Sequence, residues 1–419
     1  MHVAVIGAGI VGAATALALL DDGHRVSVID PAPPGGPQAA SFGNGCWLNP
    51  GSVVPMSMPG LWRKVPGWLA DPLGPLTLRP SYLPAALPWL WRFLRAGATP
   101  ARARAISRAL APLLADAPVR HAALAQAAGV GHLIRRQGLM HVFPDRAAFE
   151  AEAFAWQLRR EAGIAWLELD EAELRQREPS LDRRYTFAVL IEAGGHCTDP
   201  GAYVAALIAH AEARGASRVA AAASGFRIEA GRLRAVRLAD GREIAADRAV
   251  IAAGARSAAL AREAGDRVPL QSERGYHVEI LDAEAAPRLP IMPSDGKMAI
   301  TPMDRGLRIA GQVEIAAIDA APNWARARIL RDFAQRFLPG LARDLPEARL
   351  RLWMGHRPST PDGLPCIGPA RASSDIVHAF GHGHVGLAGG VTSARLAADL
   401  VSGRTPSLNP APYRAARFA

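Results

Sequence analysis

Lysine is almost missing from this chain. Lys64 and Lys297 are the only two among 419 residues, so the formal charge of +10 rests on arginine. No zinc-finger spacing, aromatic RNP motif or basic block accompanies that charge, and nothing points to nucleic acid. An arginine- and alanine-rich composition is what a GC-rich genome produces; attraction to anionic lipid or to an anionic substrate is the sharper alternative. Cysteine is scarce. Cys46, Cys197 and Cys366 lie far apart with no C-x-x-C pattern, which excludes a disulfide framework and suggests a reduced compartment. Half of the residues are hydrophobic, yet no charge-free apolar run reaches the roughly 18–20 residues that span a bilayer. An apolar strand beginning at residue 3 leaves no room for a signal peptide, so the expected location is cytoplasmic. Internal repeats are absent, and the length suits two domains with their own cores.

What is present begins at once. Val3 to Ile6 reads as a buried strand, and Gly7, Gly9 and Gly12 follow in G-x-G-x-x-G spacing. Ala13 to Leu20 is helical, and Val26 to Ile29 is a second strand ending at Asp30, 23 residues beyond Gly7. Gly7 permits a tight turn, Gly9 admits a pyrophosphate against the backbone, and Gly12 lets helix and strand pack closely. The helix N-terminus turns free N–H groups and a positive dipole end toward phosphate. Asp30 falls where a ribose-binding carboxylate belongs, and its charge disfavours a 2′-phosphate. The motif predicts dinucleotide binding without separating NAD from FAD.

Residues 31 to 60 are rich in Gly, Pro, Ser and Asn, a composition that predicts a long functional loop around Ser41-Phe-Gly-Asn-Gly-Cys46. The segments Ala101 to Gln126 and Asp145 to Arg160 read as helices, with a short strand at Gly138 to Phe143 between them. Asp199-Pro200 opens another helix with the acid as N-cap, Val204, Leu207, Ile208 and Ala211 as its stripe and Gly215 as its end. Strands joined by turns at Gly231 and Asp240-Gly241 lead to Arg248-Ala-Val-Ile-Ala-Ala-Gly254. Near the C-terminus, Asp375 to Phe380 predicts a strand, Gly381 to Gly390 a glycine-rich loop and Val391 to Val401 a helix. His382 and His384 lie in that loop without an acid or thiol to complete a tetrahedral set, so no metal is expected.

Four patches together resemble the FAD-dependent amino-acid oxidase and dehydrogenase family, in particular its bacterial D-amino-acid dehydrogenase branch. They are the N-terminal fingerprint ending at Asp30; Ser41-Phe-Gly-Asn-Gly45; Ala249 to Ser257; and Trp353-Met-Gly-His-Arg-Pro-Ser-Thr-Pro-Asp-Gly-Leu-Pro-Cys-Ile-Gly368 with Gly381-His-Gly-His-Val-Gly-Leu387. The resemblance implies an α/β fold with an α+β second domain. A discontinuous Rossmann-like FAD-binding domain (1–60, 192–262 and 345–419) carries an inserted sheet-plus-helix substrate domain (61–191 and 263–344). It implies FAD held by Gly7, Gly9, Ile10, Gly12, Asp30, Ser41, Asn44, Gly45, Ala253, Gly254, Gly383, His384, Val385 and Gly386. It makes Arg357 the anchor of a substrate carboxylate, as suits a planar guanidinium fork. Tyr276 and His277 would be substrate-facing catalytic residues, although by pattern alone they belong to an ordinary strand. Cys46 is expected to pack near the cofactor as a small apolar residue.

The implied reaction is oxidation of an amino acid of D configuration, D-proline or a hydroxy-D-proline included, to the imino acid by hydride transfer to flavin N5. No strong acid–base dyad is visible in the sequence, and hydride transfer needs none if the amine is already neutral. Two alternatives stay open: an oxygen-using oxidase of glycine or an N-methyl amino acid, and a non-catalytic assembly factor on a flavin fold. Trp62, Arg63, Lys64, Trp68, Trp89, Trp91, Arg92 and Arg95 mix amphipathic aromatics with positive charge. That mixture suits peripheral contact with the inner face of a membrane and transfer of electrons to a quinone; packing of the substrate domain is the plainer reading of the same tryptophans.

Overall fold

The computed structural model describes residues 1–63, Val65, Gly67 and 76–419. Its first layer is a six-stranded sheet. The strands are β1 (His2–Ile6), β2 (Arg25–Ile29), β3 (Ser217–Val219), β4 (Arg248–Ile251), β8 (Cys366–Pro369) and β9 (Ile376–Phe380). Their order is β3-β2-β1-β4-β9-β8, parallel except for β8. Strands buried on both faces need continuous apolar runs, and these supply them. Val3, Val5, Val26 and Val28 point into one core, while Ala4, Ile6 and Ile29 point into another.

Three helices cover the first face: α1 (Ile10–Asp21), α3 (Pro200–Ala213) and α5 (Gly386–Ser402). Asp199 caps α3 by accepting from Ala202 N at 2.9 Å, and Val204, Leu207, Ile208 and Ala211 are all buried, as the stripe predicts. The other face carries an antiparallel three-stranded sheet spanning 223–245 and the helix Ser257–Glu263.

The second layer is a nine-stranded sheet. One side of it holds β5 (Gln271–Leu281), β6 (Gly306–Ile315) and β7 (Leu350–Ser359) in the order β7-β5-β6. It continues through Ala299–Met303, Ile291–Pro293, Leu139–Phe143, Phe187–Ile191 and Leu167–Leu169, and Leu76–Leu78 pairs with β6. Helix α4 (Ala325–Phe337) packs behind it, burying Leu330, Phe333, Ala334 and Phe337 with Tyr276, Val278 and Ile280. A small sheet of Trp47–Leu48, Gly195–Cys197 and Ile134–Arg135 ties the layers together. Among the described residues, no helix is long and apolar enough to cross a membrane.

Three sequence expectations need correction. The segment 345–419 does not join the first sheet as a block: β7 pairs with β5 along its whole length, so the change of layer comes after Ser359. The helices Pro100–Leu114 and Ala117–Ala127 pack Ile106, Leu110, Leu113 and Ala125 into the core beside α1 and α5, not into the inserted domain. Finally, α5 starts at Gly386, five residues earlier than the glycines suggested. Gly390 lets α5 pack closely on α1: a Cβ there would stand 3.3 Å from Ile10, while one on Gly389 would make an ordinary contact 3.5 Å from Leu114.

Candidate active site

The nucleotide cradle lies at the carboxyl ends of β1 and β4. Gly7 has φ +110°, and a Cβ there would lie 2.4 Å from the Ala252 carbonyl oxygen; one on Gly12 would lie 1.9 Å from that of Gly7. Both positions therefore exclude side chains. A Cβ on Gly9 would meet only Ser41 Oγ, at 3.4 Å, which leaves open the space a pyrophosphate needs. Ser41 Oγ accepts from Ile10 N at 3.0 Å, placing a hydroxyl at the free N-terminus of α1. Asp30 accepts from Ala8 N and Ala32 N at 2.8 and 2.9 Å, so its carboxylate is fixed at the end of β2. The residues present fit a dinucleotide. The turn Ala253–Arg256, with Gly254 at φ +56°, follows β4 and lies against β7.

The loop from Ser41 to Cys46 is bolted to the second sheet. Arg308 Nη1 donates to the carbonyls of Phe42 and Asn44 at 2.9 and 3.0 Å, and Glu279 holds the other side of that guanidinium. Thr301 Oγ1 donates to Gly45 O, and Asn44 Oδ1 accepts from Cys46 N. Cys46 is fully buried, lies in the left-handed region at φ +68°, and has its thiol pushed up to about 11 by burial. It is a packing residue with no nucleophilic character.

His277 belongs to this support. Its Nδ1–H donates to Gly43 O at 3.2 Å, and its ring stacks on Trp353 with centroids 5.1 Å apart. Burial, with the charge of Arg308, holds it well below the usual imidazole range, so the ring is neutral. Tyr276 lies on the opposite face of β5. Its hydroxyl donates to Glu314 Oε2 at 2.5 Å and accepts from Asn323 N at 2.9 Å, and its ring packs on Trp324. Alternation turns Tyr276 away from Arg357: cross-strand neighbours share a face, and Arg357 lies directly opposite Glu273, three residues from Tyr276. His277 shares the face of Glu273 and Arg357, four residues along β5 with Gly275 between, and its Nδ1 is engaged by the loop carbonyl of Gly43.

Arg357 extends over bare backbone. Gly275 and Gly355 face each other across β5 and β7, and a Cβ on Gly275 would be 2.3 Å from Arg357 Cζ. The guanidinium thereby crosses β5 to reach β6. There Nη1 donates to Gln312 O at 3.0 Å and Nη2 to Gly311 O at 3.4 Å. The ladder slips between Arg274 and Tyr276, opposite Gln312 at φ +60°. This bulge is the kind of irregularity that re-aims groups beside a site. No carboxylate among the described residues pairs with Arg357; burial lowers its pKa, while the charge of Glu273 works the other way. Among the described residues, three of its five N–H donors have no partner and are left for a ligand.

Glu273 is the residue sequence reasoning missed. It is 6% exposed, and His384 of the glycine-rich loop bonds it, Nε2 to Oε2, at 2.7 Å. Burial disfavours its charge. The hydrogen bond and charge of His384, the Arg357 guanidinium and the Ser359 hydroxyl outweigh that and hold its carboxyl below the usual range. The loop itself is pinned by a bridge from His382 to Ser359 and by His382 Nε2 against Ser393 Oγ at 2.9 Å. The isolated glycine in Arg274-Gly-Tyr was the available signal: glycine inside a strand marks close approach by another group.

A family model described as FAD dependent oxidoreductase matches residues 2–400. A D-amino-acid oxidase of Bradyrhizobium diazoefficiens is 55% identical over 417 residues, covering 100% of this chain and 99% of that protein. A D-amino acid dehydrogenase of Rhizobium johnstonii is 33% identical over 415 residues, with 98% of each covered. Among solved structures, glycine oxidase from Geobacillus kaustophilus superimposes with a TM-score of 0.71 at 21% identity, covering 98% of this chain and 97% of that one. Iminodiacetate oxidase from a Chelativorans species gives 0.72 at 20%, with 98% of each covered. These two share the fold.

Proposed function

The chain belongs to the family of FAD-dependent oxidoreductases, and from that premise we propose that it oxidises free D-amino acids, with Arg357 as the carboxylate anchor. That it is an FAD-dependent amino-acid oxidoreductase follows from the family and its relatives. The D configuration is supported by the relatives' names. These are enzymes, which leaves the assembly-factor alternative without support. The observation that carries the anchor is the guanidinium itself: fixed by two carbonyls, opposite the Glu273 that His384 of the glycine-rich loop bonds, and with no direct ion pair to a carboxylate among the described residues. Bound FAD supplies the two-electron acceptor. The protein holds the substrate carboxylate and aims its Cα–H; Gly275 makes room for the guanidinium, and Gly355 for the Trp353 ring. Exchanging Arg357 for Lys replaces a fork by a point charge. Losing one charge-assisted bond, about 1.5–3 kcal/mol, should raise KM roughly ten- to a hundredfold with the flavin spectrum intact. Normal KM in the variant would move the anchor elsewhere.

For the electron acceptor we propose a membrane quinone. In α2 (Leu83–Ala96), Leu83, Leu87 and Trp91 recur at i, i+4 and i+8 on the exposed face. Trp91 is 63% exposed and Trp62 62%, with Arg95 and Arg63 over their rings. Arg92 is exposed on the same helix. Such a face suits anionic lipid headgroups. Trp89 is not part of it: it is buried and donates from Nε1 to Ser359 O at 3.1 Å, packing α2 onto β7. Lys64 and Trp68 lie outside the described residues. The relative at 55% identity is named an oxidase, which favours oxygen as the second reading. Faster reoxidation by a quinone analogue than by air supports the first; the reverse supports the second.

A further inference from the structure

Beside Arg357 stands an acid–base couple that the reaction outlined so far does not use. Glu273 and Arg357 are cross-strand partners, and the next pair along the same face is Gly275 and Gly355. His384 reaches this strip from the opposite wall. Its Nε2 lies 2.7 Å from Glu273 Oε2, and no other residue among those described bonds its ring. An ionised carboxylate only accepts, so Nε2–H donates and the lone pair resides on Nδ1. The His384 side chain keeps 30% of its surface exposed, against 7% for that of Glu273. One nitrogen is thus buried against the acid, and the other has no partner among the described residues.

We propose that His384 Nδ1 takes the proton of the substrate ammonium, with Glu273 as the positioning residue that fixes the tautomer and neutralises the imidazolium. This rests on the amino-acid reading above. A free amino acid arrives with its amine protonated, and its Cα–H cannot leave as hydride until the nitrogen lone pair is free. In the proposed step an ammonium N–H bond breaks, its electron pair stays on nitrogen, and the proton bonds to Nδ1. FAD, when bound, would supply the two-electron acceptor for the Cα–H pair, and the freed nitrogen lone pair would form the C=N bond of the imino acid. The imidazolium returns its proton to water as product leaves. The charges balance. Glu273 and Arg357 cancel, the zwitterion adds none, and transfer from ammonium to imidazole creates no net charge in a poorly hydrated site. The other histidines described around the strip do not compete. His277, on the same face of β5, gives Nδ1–H to Gly43 O and is held well below the usual imidazole range by burial and by Arg308. His382, held at about 4 by burial, bonds Ser393 of α5, and His356 turns to the far face of β7 against Ser272. From α2 the neighbour is Trp89.

The test is anaerobic single-turnover bleaching of the holoenzyme flavin by D-alanine and a panel of other D-amino acids, from pH 6 to 10. It compares wild type with His384→Gln and Glu273→Gln. Wild type must bleach with at least one substrate; failure there rejects the amino-acid reading itself. Given bleaching, His384→Gln should be about a hundredfold slower at pH 7, within the usual reach of a general base. The gap should close toward pH 10, where the amine arrives neutral. Glu273→Gln should fall between. Propionate, a carboxylate without an amine, should perturb the flavin spectrum with an unchanged Kd in both variants. A variant profile parallel to wild type at every pH, or weakened propionate binding that accounts for the loss, would overturn the proposal. Should His384→Gln shed FAD, Glu273→Gln decides: a slowing at pH 7 that closes toward pH 10 supports the couple, and an unchanged profile overturns it.

Discussion

Adding one methyl group at Gly275 should disable the anchor while Arg357 itself stays unsubstituted. A Cβ there would stand 2.3 Å from Arg357 Cζ and Nη2 and 2.4 Å from Nη1, more than 1 Å inside the roughly 3.5 Å at which non-bonded heavy atoms rest. The backbone is held on the β7 side, where Gly275 pairs with Gly355 in an unbroken ladder, although the β6 ladder skips Gly275 at the bulge. The side chain must move instead, by about 1 Å or more, and the bonds to Gln312 O and Gly311 O are lost or bent. Each charge-assisted bond is worth about 1.5–3 kcal/mol, and a 1 Å misplacement of a positioning group costs about a hundredfold. Gly275→Ala should therefore raise KM for a D-amino acid ten- to a hundredfold and lower kcat, in steady-state assays on holoenzyme. FAD content and melting temperature should stay near wild type, because alanine is not disfavoured in a strand relative to glycine. A Gly275→Ala enzyme with wild-type KM would mean that substrate does not use the Arg357 fork.

Three other outcomes are expected. Gly9→Leu fills the pyrophosphate space beside Ser41 Oγ and should yield colourless protein, detected as loss of the flavin absorbance after purification. Tyr276→Phe removes the partner of Asn323 N and one donor to Glu314; it should cost about 1–3 kcal/mol of stability by denaturant titration while KM changes less than about threefold. A tenfold rise in KM would restore the substrate contact that the family resemblance implied. Exchanging Trp62 and Trp91 together for Ser should weaken co-sedimentation with anionic vesicles by about tenfold or more, since burying one large side chain contributes about 1.5–3 kcal/mol. High salt should release the wild type; a wild type that stays in the supernatant at low salt would remove the membrane contact.

Local chemistry was readable in the sequence. The fingerprint from Val3 to Asp30, the Asp199 cap with its apolar stripe, and the turns at Gly231 and Gly241 are each fixed within a few residues, and the structure shows all of them. Non-local pairing was not readable. Which face of β5 looks at Arg357 depends on its register with β7, more than seventy residues away, and on a bulge at Gln312 that no propensity announces. Alternation then sends Tyr276 to the core and Glu273 to the site. Helices 100–114 and 117–127 read as amphipathic without saying which core they serve. The glycines at 389 and 390 looked like a loop because composition does not distinguish a flexible turn from a helix whose Gly390 sits close against a neighbouring helix.

The most direct measurement of the central claim is anaerobic flavin bleaching of the holoenzyme across matched D- and L-amino acids, each also offered without its carboxylate as the corresponding primary amine. The account predicts released FAD on denaturation and bleaching by D-amino acids far faster than by their L counterparts. It also predicts at least a hundredfold loss when the carboxylate is absent, because Arg357 then has nothing to hold. Bleaching by the amine at the rate of the amino acid, or by no amino acid at all, would contradict it.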